Sequence, residues 1–145
     1  MSLRKTINLL PVEFNYTNNS IEAIVYYERK YYTGTATCHS DDMDFFSTKV
    51  GQTIAHKRAI INALKDIKER TNIEYNAVKR FYNDILRENK KCEYIIVIKE
   101  IVRLKRQINK YLGYIKTEEK ELNEYLKAQS KVITSLKKQR KAINN

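Results

Sequence analysis

The stretch "YYTGTATCHSDDMDFFSTKVGQTIAHKRAIINAL", residues 31–64, changes its hydrophobic period in mid-course. Its opening, "YYTGTATCH" (31–39), is a β-branched and aromatic run with the character of a strand. Its close places Ile54, Ile60, Ile61 and Leu64 at helical spacing, continued by Ile67 just beyond it, which predicts a helix from about Gln52 to Arg70. Between the two lie a thiol, an imidazole and three carboxylates: Cys38, His39, Asp41, Asp42 and Asp44. The joint reads either as a sheet handing over to a helix or as the wall of a metal or catalytic centre.

The ligand chemistry favours the first reading. A zinc site needs Cys and His in repeated short-spaced pairs, and "CHSDDMD" offers one of each. A calcium loop needs acidic residues at alternate positions, then Gly and a terminal Glu, and "DDMDFFSTKVG" lacks that order. A magnesium phosphodiesterase built on Asp42 and Asp44 would need further ligands, and only His56 is near in sequence. Ser40 instead suits a helix cap, with Asp41 and Asp42 facing the positive end of a helix dipole. Cys38 is then packed in the sheet and His39 is a hydrogen-bonding joint residue. The chain has no Ser–His–Asp set, Walker loop or GxGxxG. No catalytic residue, metal or cofactor is expected, and the chain reads as a binder rather than an enzyme.

On the N-terminal side the period of two continues. Val12, Phe14 and Tyr16 point one way, "TNNS" (17–20) supplies a turn, and Ile21, Ala23, Val25 and Tyr27 resume the alternation before "ERK" (28–30) reverses the chain. Ile7 and Leu9 fit a further strand before Pro11. The expectation is an α+β fold: an N-terminal antiparallel β-meander of three to four strands, then a helix, then long C-terminal basic helices. Such a meander needs helices on one face to stand.

On the C-terminal side, Thr71 and Glu74 have capping-box spacing and suggest a new helix, with Ile73, Ala77, Phe81, Ile85 and Leu86 as its buried face. Ile101, Ile108, Ile115, Leu122, Gln129, Leu136 and Ile143 then recur every seven residues, with Leu104, Tyr111, Tyr125 and Val132 at the d-like positions. The phase runs through Gly113 unchanged, which favours a bent or continuous helix over a hairpin turn there. So long a stripe exceeds what one small domain covers, and self-association as a dimer or larger is expected, with Leu122 in the seam.

Length reads as one domain, 1–145: meander and acidic turn (1–48), first helix (49–71) and long helical region (72–145). No run reaches the ~20 apolar residues of a membrane span, the N-terminus lacks the apolar core of a signal peptide, and two Cys suggest reduced thiols in a cytosol. Residues 1–72 carry 10 Lys/Arg against 8 Asp/Glu, and residues 73–145 carry 18 against 9, so the positive field belongs to the second half. Such a field attracts phosphorylated ligands or polyanions. Tyr26, Tyr27, Tyr31, Tyr32, Phe81, Tyr82 and Tyr94 accompany Arg29, Arg58, Arg80 and Arg87, and aromatic faces stack on bases while Arg forks hold phosphates.

The patterns G-x-A-x-C-H-x-D-D (Gly34, Ala36, Cys38, His39, Asp41, Asp42) and G-x-x-I-A-x-x-R-A (Gly51, Ile54, Ala55, Arg58, Ala59) resemble small phage proteins of the Thoeris anti-defence family, first type. The resemblance covers about residues 5–70. It implies oligomeric sequestration of cyclic ADP-ribose-type signals, and in relatives cyclic oligonucleotides, without turnover in the host cytosol. The ligand-binding residues expected for this chain are Arg29, Arg58, Phe81, Tyr82, Arg103 and Arg106. In this reading Arg58 and Arg29 reach one phosphate from the helix and from the hairpin turn, while Phe81 or Tyr82 stacks on a base. The alternative is a basic coiled-coil nucleic-acid-binding or scaffold protein, against which the interspersed Glu100, Glu118, Glu119, Glu121 and Glu124 count.

Overall fold

The computed structural model describes residues 2–38, 47–88 and 94–144. In chain order the elements are α1 (Leu3–Asn8), β1 (Val12–Tyr16), β2 (Ser20–Tyr27), β3 (Lys30–Thr37), α2 (Thr48–Glu88) and α3 (Tyr94–Asn144). The strands form an antiparallel sheet in the order β1-β2-β3, so the α+β arrangement of a meander followed by long helices is present. The chain forms two compact units, Met1–Ala63 with Thr117–Asn145, and Leu64–Lys116.

In the first unit, pairing sets Ile21 against Ala36, Ala23 against Gly34 and Val25 against Tyr32. These six share the buried face of the sheet, as strand alternation requires. Gly51, Ala55, Ala59 and Ala63 recur every four residues on α2 and are all buried, a ridge of small side chains that lets the helix backbone come close. The approach centres on Gly34. A Cβ added there would lie 2.2 Å from the Ala59 nitrogen, 2.3 Å from the Ala55 oxygen and 2.7 Å from the Arg58 carbonyl carbon. These are backbone atoms that cannot swing aside, so only glycine fits.

The expected fourth strand is instead α1. Ser2 caps it, its Oγ accepting from the Lys5 N–H at 3.2 Å. Ile7 and Leu9 would share one face of a strand, whereas here Ile7 is fully buried and Leu9 is 72% exposed. Helical rotation of roughly 200° between them is the reason.

The second unit pairs the later part of α2 with the earlier part of α3. Tyr75 lies 13 residues before the end of α2 and Lys105 lies 11 residues after the start of α3. Lys105 Nζ stands 5.5 Å from the Tyr75 ring centre, so these segments run antiparallel. Helix α2 is continuous through Thr71, which corrects the expected new start. The Thr71 hydroxyl donates to the Ile67 carbonyl at 2.9 Å, a bond inside the helix rather than a cap. The expected buried face is also corrected: Ile73, Phe81 and Leu86 are 59%, 52% and 43% exposed, and only Ile85 of that set is buried among the larger side chains. The inward stripe is Leu64, Ile67, Thr71 and Ile85, with Tyr75, Val78 and Tyr82 half-buried, turned by roughly 100° around the helix from the expected one.

Helix α3 runs through Gly113 without a break. Its stripe is covered at Leu104, Ile108, Ile115 and Leu122, but Val132, Leu136 and Ile143 are exposed. A Cβ at Gly113 would meet nothing within 4 Å, unlike one at Gly34. Two substitutions of the same kind should therefore act in opposite directions. Gly34→Ala should destabilise by about 1–3 kcal/mol through forced backbone displacement. Gly113→Ala should stabilise by about 0.5–1 kcal/mol through helix propensity. Urea unfolding of both variants checks this, and equal signs would refute the packing described.

Candidate functional site

Each expected ligand residue has a definite place. Arg58 lies on α2 beside the edge strand β3, and its guanidinium Nη1 donates to the Thr35 carbonyl at 2.7 Å. Asn62, one turn later, donates Nδ2 to the Thr33 carbonyl at 2.7 Å. The two side chains occupy acceptors of a strand that has no strand partner on that side among the described residues, which blocks pairing with a foreign strand. Arg58 is thus engaged in holding the sheet edge.

Arg29 sits at the tip of the β2–β3 hairpin. Glu28 and Arg29 both have positive φ, 48° and 67°, the geometry of a two-residue turn whose twist suits the strands. Six residues of extended chain separate Arg29 from Thr35, roughly 20 Å at ~3.3 Å per residue. Arg29 and the Arg58 guanidinium therefore do not converge on one phosphate, which corrects that expectation. Phe81 and Tyr82 lie on α2 in the second unit, whereas Arg29 and Arg58 belong to the first. Phe81 is exposed and Tyr82 half-buried.

Arg103 and Arg106 are brought together. With Lys99, Gln107, Lys110, Ile98 and Val102 they line an open depression on one side of α3 in the second unit, to which no other element contributes a lining residue. Four cations and an amide lie beside two apolar side chains there. Glu100 accepts from Arg103 Nε at 2.9 Å and from its Nη2 as well, so one guanidinium is already clamped by a carboxylate. No carboxylate among the described residues pairs with Arg106. The arrangement can hold an anion through Arg106 and the two lysines, with Arg103 available on displacement of Glu100. The hydrogen bonds and charge of Arg103 hold the Glu100 carboxyl below its ordinary range.

The first unit holds a group that sequence reasoning passed over. Glu118 is fully buried. Its Oε1 accepts from Arg4 Nε at 2.8 Å and Asn8 Nδ2 at 3.0 Å, and its Oε2 from Lys57 Nζ at 2.7 Å. Glu121 accepts from Arg4 Nη2 and Lys57 Nζ, each at 2.6 Å. Burial pushes the Glu118 carboxyl up, but hydrogen bonds from Lys57 and Asn8 and the Lys57 charge outweigh it and hold it below its ordinary range. Next to Lys57, His56 Nε2 is buried with no hydrogen-bond partner among the described residues. Burial, then the Lys57 charge, holds its imidazole below the ordinary value against the pull of Glu118.

His39, Ser40, Asp41, Asp42 and Asp44 lie outside the described residues. Among the described residues, no three His, Cys, Asp or Glu side chains gather as metal ligands. No helix among the described residues is long and apolar enough to cross a membrane. No protein-family model, curated protein or solved structure matches the chain.

Glu118 and His56 give one direction of pH dependence. A depressed Glu118 contributes stability that is complete above the ordinary carboxylate value and is lost as pH falls through its folded value. A depressed His56 stays neutral when folded while the unfolded chain protonates near pH ~6.5, so stability falls as pH drops below that point. Thermal unfolding should therefore show a level midpoint from pH 8 to 7, a first decline near pH 6 and a steeper one near pH 4. His56→Gln should remove the first decline and leave the second. A midpoint that rises on acidification would contradict both assignments.

Proposed function

We propose that the protein binds and sequesters a small cyclic nucleotide immune signal, of cyclic ADP-ribose type or a cyclic oligonucleotide, without cleaving it. In this reading it is a phage anti-defence sponge acting in the host cytosol. The observation that carries the reading is the α3 depression with Arg103, Arg106, Lys99 and Lys110. Guanidinium forks match phosphate oxygens bidentately, and ammonium groups add point charges. Ile98 and Val102 offer an apolar wall for a ribose or base. The second unit carries 14 Lys/Arg against 7 Asp/Glu, so the field around the depression draws anions in. The resemblance of residues 34–59 to the Thoeris anti-defence proteins points to the same ligand class.

Self-association belongs to the proposal. Val132, Leu136 and Ile143 continue the heptad phase of α3 yet are 49%, 39% and 83% exposed. A second copy would cover them, forming a dimer or larger assembly. Leu122 is only 8% exposed within the chain, so the seam begins beyond it and Leu136→Asp is the informative variant.

The ligand test is direct. The protein is incubated with a nucleotide extract, washed and heat-denatured, and the supernatant is examined by mass spectrometry. An intact cyclic nucleotide is expected. Arg106→Ala should weaken its binding by about 10- to 100-fold in calorimetry, the equivalent of one charged hydrogen bond of roughly 1.5–3 kcal/mol. An empty supernatant, or release of a cleaved nucleotide, would refute the proposal.

A further inference from the structure

We infer a second, separate binding site on the C-terminal part of α3 in the first unit: a lysine stripe that takes the phosphodiester backbone of a nucleic-acid duplex. The charge there has one sign. Residues 125–145 hold six cations, Lys127, Lys131, Lys137, Lys138, Arg140 and Lys141, and no Asp or Glu; the last acid is Glu124. This differs from residues 100–124, where glutamates intersperse the cations.

The cations are also sorted by face. At roughly 100° per residue, Lys127, Lys131, Lys138 and Lys141 fall on one stripe of the helix. Leu126, Val132, Ile133 and Leu136 fall on the other side. That other side lines a cavity of about 620 Å³ together with Ala36, Cys38, Val50 and Ile54 of the same unit. All four stripe lysines are exposed. Among the described residues, no carboxylate pairs with any of them. The stripe spans 14 residues, about 21 Å at ~1.5 Å per residue.

Duplex nucleic acid presents one negative charge per ~1.7 Å of axis, so a straight row of lysines about 21 Å long meets phosphates along its whole length. An anionic bilayer fits less well. An interfacial helix buries its apolar face and holds cations at the headgroups beside it. Here the four lysines lie opposite the apolar side, so a membrane could engage one face or the other but not both. Nucleic acid needs the basic face alone. Thr134, on the same stripe, already donates its hydroxyl to the Ser130 carbonyl at 2.9 Å, and contacts from lysines to phosphates carry no sequence information, so the binding inferred is independent of sequence.

The test measures binding of the full chain to a fluorescent 20-base-pair DNA duplex by anisotropy, from 50 to 200 mM KCl. Four phosphate contacts contribute about −3.6 to the slope of log K against log salt, close to a 150-fold loss over that range. The variant with Lys127, Lys131, Lys138 and Lys141 all changed to Gln should lose about 3.6 of the wild-type slope while keeping its helical circular dichroism. Lys131→Gln should lose about 0.9. Substituting Lys99, Arg106 and Lys110 should leave this increment in place. A fourfold variant with the wild-type slope overturns the inference, as does duplex binding that disappears only on changing Lys99, Arg106 and Lys110. Wild-type binding to vesicles of anionic lipid with none to duplex would overturn it equally.

Discussion

One buried carboxylate organises the first unit. Glu118 brings a charge out of water, which costs several kcal/mol unless its lone pairs are filled and opposite charge lies near. Arg4 and Asn8 of α1 and Lys57 of α2 supply both. Three elements far apart in sequence thereby meet at one group. Six-residue α1 has no independent stability at that length, since isolated helices of fewer than ~12 residues are marginal in water. Its one buried side chain, Ile7, and its bonds to Glu118 keep it in place. Glu121 shares the same two cations, so the pair of carboxylates faces a matched pair of positive charges.

The sheet and α2 meet by a different means, the removal of side chains. Gly34 and the Gly51–Ala55–Ala59–Ala63 ridge bring backbone against backbone, and Arg58 and Asn62 then reach the β3 carbonyls. Several residues of the two sequence patterns, Gly34, Gly51, Ala55, Arg58 and Ala59, are the residues of this contact. Their spacing has a packing explanation in this chain. The proposed ligand chemistry rests instead on Arg103 and Arg106 in the second unit, where two of the six expected residues share a depression.

The three strands were legible because β2 and β3 bury one face and β1 half-buries Val12 and Phe14, and the alternation of the side chains records that directly. The continuous α3 was legible through the heptad phase that Gly113 leaves untouched. Other features were hidden for physical reasons. Ile7 and Leu9 are two apart, a spacing that fits a strand as well as a helix with one apolar residue left in water. Thr71 and Glu74 have the spacing of a cap, but a threonine inside a helix can return its hydroxyl to the preceding turn. The apolar residues Ile73, Phe81 and Leu86 outvoted the true inward stripe because that stripe contains Thr71 and tyrosines. Glu118 left a readable trace. It occupies the d-like position between Tyr111 and Tyr125, the one acid in an otherwise apolar series, and a charge at such a position calls for buried partners. That Arg4 and Lys57 would be those partners follows only from the fold.

The claim that Glu118 is the tie can be tested by amide hydrogen exchange on Glu118→Gln. The amide isostere keeps the shape and removes the charge that Arg4 and Lys57 require. The account predicts that Leu3–Asn8 loses its protection while the paired amides of β2 and β3, held by the Gly34 contact, stay protected. Unchanged protection of Leu3–Asn8 in the variant would contradict it.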